Sequence, residues 1–164
     1  MELKRKFSIK KLFTVFYVLA LALYLIVGLQ PAGATEYEVS GNLMIPSIDL
    51  NSDVTDLELV EHKLETPDTI VGSYQKYPTK TLLIGHSSTV FEKLNEVSLG
   101  DVIVYNGEQY KITKTETLRK TNVDMNRILA PTRENTIIIM TCAGEIIDEK
   151  DATHRLIVTA VKVS

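Results

Sequence analysis

The sequence predicts an all-β domain, closed or nearly closed into a barrel, with only brief helices. Short apolar runs rich in β-branched residues recur between residues 41 and 164, six or more in number. An Asn106-Gly107 pair separates two of these runs, the turn chemistry of a tight hairpin. The chain has 164 residues, 45% of them apolar and 24% charged, which suits one folded domain with a proper core and leaves little room for a second.

The chain begins with a basic segment, residues 1–11 (MELKRKFSIKK), followed by an uncharged apolar run, residues 12–29 (LFTVFYVLALALYLIVGL). Eighteen residues at about 1.5 Å each make roughly 27 Å of helix, enough to cross a hydrocarbon layer. Lys4, Arg5, Lys6, Lys10 and Lys11 before it place the N-terminus in the cytoplasm and everything after Gln30 outside. The reading is a single-pass anchor in the cell membrane with an extracellular domain. Ala32-Gly33-Ala34 also has the small-x-small form of a signal-peptidase site, so a cleaved signal is an alternative, and a buried core helix is a third. Residues 30–40 read as a linker and 41–164 as the domain it tethers.

Residues 42–50 (NLMIPSIDL) alternate as a strand does, with Pro46 bending or interrupting it at an edge. Residues 56–64 fit one short helix, with Leu57, Val60, Glu61 and Leu64 at helical spacing and Asp56 as N-cap. Residues 81–85 (TLLIG) form a short buried strand that ends just before His86. Residues 101–105 and 109–115 are the two arms of the Asn-Gly hairpin. Residues 122–129 suit a helical turn closed by Ala130-Pro131, and 137–142 and 155–163 are the last strands.

Five Lys/Arg and one Glu fall in residues 1–30, leaving 13 Lys/Arg against 20 Asp/Glu for the rest. The domain is acidic and has no basic face with interleaved aromatics, so nucleic acid is not among its expected partners. The single cysteine, Cys142, excludes an internal disulfide and every CxxC redox or zinc motif. The three dispersed histidines have no metal-ligand spacing.

After three isoleucines, a free cysteine is most often a small buried hydrophobe. Cys142 stands at the end of its apolar run, however, just before Ala143-Gly144-Glu145, a surface-turn sequence. Alternation puts Ile138, Met140 and Cys142 on one face, and Ile137, Ile139 and Thr141 on the other. An attacking thiol also needs a base or a cation nearby, because an ordinary one with a pKa of about 8.5 is only a few per cent thiolate at neutral pH. His62 sits among charged residues and reads as a solvated surface histidine. His154 directly precedes Arg155 at a strand start, where it caps or faces water. His86, just past a strand end in a polar loop, is the best-placed partner, although packing or capping accounts for its position equally well. Arg155 supplies either a rim salt bridge with Glu145, Asp148, Glu149 or Asp151, or fork-like donors for a peptide carbonyl and its oxyanion.

Gly85-His86, Thr141-Cys142 and RLIV at 155–158 together resemble the sortase family of membrane-anchored cysteine transpeptidases. LMIPSIDL, FEKL at 91–94, LGD at 99–101 and YKI at 110–112 extend the resemblance, in order, over about residues 41–163. It implies a closed, eight-stranded sortase-type barrel with His86, Cys142 and Arg155 as histidine, nucleophile and arginine. It also implies, as substrates, secreted proteins with a C-terminal Leu-Pro-x-Thr-Gly-like signal. The acyl acceptor would be an amine of a peptidoglycan precursor or a pilin, and residues 119–135 would help form the signal-binding groove. The family's Thr-Leu-x-Thr-Cys stands here as Ile138-Ile139-Met140-Thr141-Cys142, so only the Thr-Cys end is kept and the sortase class stays open. Thiolate chemistry at an amide carbonyl requires no cofactor. Some members carry a regulatory calcium ion, whose ligands the sequence does not place; the acidic turn at 145–151 reads equally well as a solvated loop.

Two other readings compete. A papain-like cysteine peptidase usually has its cysteine before its histidine, whereas His86 precedes Cys142 by 56 residues. An anchored, non-catalytic β-domain that binds wall or partner proteins would bury Cys142.

Overall fold

A computed structural model describes residues 37–61, 63–148 and 151–163. Among them are eight strands: β1 (Gly41–Ile45), β2 (Leu50–Asp56), β3 (Val71–Tyr77), β4 (Lys80–Ile84), β5 (Val102–Tyr105), β6 (Glu108–Arg119), β7 (Thr136–Asp148) and β8 (Asp151–Lys162). They close into a barrel in the order β1-β2-β3-β4-β7-β8-β6-β5. Two of the neighbouring pairs, β2 with β3 and β4 with β7, run parallel, and the rest are antiparallel.

The expectation of an N-terminal membrane span is corrected. No helix among the described residues is long and apolar enough to cross a membrane. The basic 1–11 and the apolar 12–29 lie outside the described residues. The fold class of the described residues is thus the closed eight-stranded barrel with short helices, and no spanning helix or single-pass membrane segment is among them.

β4 and β7 read as unbroken apolar runs because both of their faces are covered. Ile137 and Ile139 of β7 and Leu83 of β4 fill the barrel interior with Leu43, Ile45 and Val158. Leu82, Ile84, Ile138 and Ile157 form a second cluster, packed against Leu118, Val123, Met125, Ile128 and Leu129. Those covering residues come from the end of β6 and the β6–β7 connection, so the second cluster lies on the outer face of the barrel. In β6, by contrast, Tyr110 and Ile112 are buried while Gln109, Lys111 and Thr113 are exposed, the alternation of a strand with one wet face.

Pro46 acts as the sequence suggests. It opens a single 3₁₀ turn, Pro46–Ile48, where its missing N–H costs nothing, and Asp49 (φ 54°) then turns the chain back into β2. Asn106 (φ 50°) and Gly107 (φ 80°) hold the left-handed dihedrals of the β5–β6 hairpin. The helix α1 (Met125–Leu129) starts at Asp124, whose carboxylate accepts from the backbone N–H groups of Asn126 and Arg127. It stops at Ala130, held extended by the following Pro131.

Residues 56–64 do not form the expected helix. Asp56 ends β2 and accepts a hydrogen bond from Ser73 Oγ at 2.6 Å instead of capping a turn. Val60 and Lys63 close a small isolated bridge. Helical spacing over so short a segment yields to the pairing of β2 with β3. β3 itself went unread: SYQKY has no clean alternation, and its strand character comes from its neighbours on either side.

Candidate active site

Strand register gathers the three residues picked out by sequence. Ile84 of β4 pairs with Met140 of β7 in parallel. One residue further along, Thr141 Oγ1 donates to the Gly85 carbonyl at 2.7 Å, a buried hydrogen bond. The two chains therefore leave the shared ladder tied together, with His86 and Cys142 next in line. On the other side of β7, Cys142 is the register partner of Arg155 in β8. His86 just after β4, Cys142 in β7 and Arg155 in β8 thus lie on three neighbouring segments, just past the end of the β4–β7 ladder.

Their orientation follows from the period of two. Cys142 shares the outward parity of Ile138 and Met140, which belong to the outer cluster, while Ile139 and buried Thr141 point the other way. Arg155 likewise shares the parity of the outer residue Ile157. Cys142 is half-buried and does not belong to the core. Two residues after it, Gly144 takes φ +79°, and a β-carbon there would stand 2.6 Å from His154 Nδ1 and 2.7 Å from Thr153 Oγ1. This glycine lets β7 bulge where its pairing with β8 shifts, between Ala143 and Ile146.

The His86 side chain is 13% exposed, and its Nε2 lies 3.7 Å from Asp68 Oδ1, beyond hydrogen-bond range. Nε2 is buried without a hydrogen-bond partner among the described residues. The His86 carbonyl accepts from the backbone N–H groups of Thr89 and Phe91, which fixes the loop after β4. Arg155 is held more tightly. Its Nη1 donates to the carbonyls of Ala152 and His154, both at 2.9 Å, and its Nη2 donates to Asp151 Oδ1 at 2.6 Å. The rim salt bridge offered by the sequence thus exists, with Asp151. Asp151 also pairs with Lys120, and the hydrogen bonds from Lys120 and then Arg155 pull its carboxyl down to about 2.

His154 is half-buried and hydrogen-bonds through Nδ1 to Thr153 Oγ1 at 2.8 Å. His62 lies outside the described residues, as do residues 149 and 150 of the acidic turn. Among the described residues no three His, Cys, Asp or Glu side chains stand close enough to hold a metal ion.

A groove of about 520 Å³ runs over the outer face of β4, β7, β8 and β6. Ile138 and Ile157 floor it, and Asn122, Asp124, Arg127, Ile128, Thr132 and Arg133 of the β6–β7 connection wall it. Seven residues of the 119–135 segment line this groove, whereas His86, Cys142 and Arg155 do not. Asp68 and Lys120 escaped the sequence reading. Asp68 sits 18 positions before His86 in a stretch without regular pattern, and Lys120 is an ordinary charge on a strand end, so neither carries a sequence signal.

Residues 43–163 match the family model described as the sortase domain. Solved structures share the fold. A sortase C from Clostridium perfringens SM101 is 18% identical, with 92% of this chain and 87% of that chain covered and a TM-score of 0.60. A sortase A from Listeria monocytogenes is 20% identical over 77% of this chain and 88% of that one, with a TM-score of 0.58. A lid mutant of sortase A from Corynebacterium diphtheriae is 24% identical over 80% and 73%, with a TM-score of 0.60. No curated protein matches.

Proposed function

The chain belongs to the sortase family, and from that premise we propose that residues 41–164 are a catalytic domain in which Cys142 is the nucleophile, His86 the proton carrier and Arg155 the oxyanion donor. Membership brings transpeptidase chemistry on cell-wall substrates, with sorting-signal-bearing proteins and cell-wall precursors as partners in general terms. The finer reading is cleavage of a Leu-Pro-x-Thr-Gly-like signal between Thr and Gly. The acyl group then passes to an amine of a cell-wall precursor or a pilin.

The Cys142 thiolate attacks the threonine carbonyl carbon, and Arg155 N–H groups stabilise the negative charge that develops on its oxygen. The Thr–Gly C–N bond breaks as His86 donates a proton to the departing glycine amine, leaving a thioester on Cys142. The acceptor amine attacks that thioester and loses its proton to His86. A new amide forms and the thiolate is regenerated. The outer groove, beginning with the apolar floor at Ile138 and Ile157, suits an extended peptide with apolar residues.

The observation that carries this reading is the register pairing of Cys142 with Arg155 beside the Thr141–Gly85 bond. A papain-like centre has no such arginine in its chemistry and is not favoured by any contact here. Incubating the protein with a panel of signal peptides and several amines, and reading product masses, tests the proposal. Cleavage between Thr and Gly with transfer to an amine is expected, and Cys142→Ala abolishes it while the barrel still melts cooperatively. Full turnover by Cys142→Ala defeats the assignment.

A further inference from the structure

We propose that Asp151 is a positioning residue for Arg155: with Lys120 it clamps the guanidinium against β8 so that a fixed part of its donor set faces the peptide carbonyl. This rests on the reading of Arg155 given above.

A guanidinium has five N–H groups in a rigid plane. Two of them, both on Nη1, are taken by the carbonyls of Ala152 and His154, and one on Nη2 by Asp151 Oδ1. The Nε–H and the second N–H of Nη2 donate to no described residue. Three contacts to its own strand define the plane of the fork, and two donors are left over for an incoming acceptor. The Arg155 side chain is 16% exposed, so the fork sits where few waters compete for those donors.

Asp151 is the only side chain among the three acceptors; the others are backbone carbonyls that no substitution removes. Its second oxygen is held by Lys120, the first residue of the 3₁₀ turn Lys120–Asn122 that follows β6. Lys120 therefore fixes the carboxylate from the side of the β6–β7 connection, and the carboxylate fixes Arg155 from four residues away. A latch that keeps Arg155 out of use would occupy the whole fork; here two donors meet no acceptor among the described residues, which favours positioning.

The test is a mutant cycle in the full chain, with transfer from a Leu-Pro-x-Thr-Gly peptide to an amine as the assay. Asp151→Asn keeps the shape but removes the charge. It is expected to lower kcat about tenfold with little change in KM, since the donors act on the transition state. In an Arg155→Ala background the same change is expected to alter kcat by less than about twofold, because two residues acting through one group are not additive. Asp151→Glu restores part of the loss. If Asp151→Asn does not fold, Lys120→Met takes its place, with a loss of about threefold that also disappears without Arg155. Wild-type kcat in the folded Asp151 or Lys120 variant, or an equal loss with and without Arg155, overturns the proposal. Full activity of Arg155→Ala alone overturns the reading of Arg155 beneath it, an outcome distinct from either.

Discussion

Arg155 and Asp151 show how one residue's chemistry is set by its neighbour. An ordinary aspartate titrates near 3.9, and the carboxyl of Asp151 is held down to about 2. A depressed acid adds stability above its unfolded value and loses it as pH falls through the folded one. The clamp is thus complete from pH 8 down to about 5 and fades between about 4 and 2. Thermal melts should show a constant gap between the wild type and Asp151→Asn from pH 8 to 5, narrowing only in stronger acid. A gap that closes near pH 6 would place the titrating group elsewhere. Arg155→Lys separates shape from charge. A lysine ammonium cannot hold three acceptors in one plane and still offer two fixed donors, so the rate should fall at least about tenfold, the scale of losing an aimed donor. Near-wild-type transfer by the lysine variant would show that a point charge is enough.

Among the elements, the β7–β8 pair does most to build the site, and glycine makes its geometry possible. Gly144 combines a left-handed φ of +79° with close approach to Thr153 and His154. Gly144→Ala should destabilise the domain by about 1–3 kcal/mol, the cost of a non-glycine residue held in that region. It should also slow transfer, because the bulge lies between Cys142 and the hairpin that ends at Asp151. A melt unchanged from wild type would mean the strand simply re-registers. At this scale the sequence was readable where chemistry is local. Pro46, Asn106-Gly107 and Ala130-Pro131 each marked a real turn, since their preferences belong to single residues. It was unreadable where partners decide: β3 has a strand's role without a strand's pattern, and residues 56–64 have helical spacing without a helix.

For the described domain as a whole, closure of the barrel is what brings distant positions together. Residue type and the order of motifs pointed to His86, Cys142 and Arg155 and to the eight-stranded barrel, but not to the length of β7 and β8, which run on past the expected strand ends and leave Cys142 and Arg155 inside the strands. The sequence could not show that β4 and β7 run side by side in parallel, since that pairing spans over fifty residues and no local signal encodes it. Asp68 beside His86, and Lys120 beside Asp151, were hidden for the same reason. If sulfur at position 142 attacks a peptide carbonyl, a covalent acyl-enzyme forms on Cys142. The most direct measurement is the intact mass of the protein after brief exposure to a signal peptide with no amine present, followed by mapping of the modified residue. The expected result is a mass gain equal to the peptide fragment ending at its threonine less one water, carried as a thioester on Cys142 and discharged by added amine. An unmodified Cys142 while the peptide is still cleaved would contradict it.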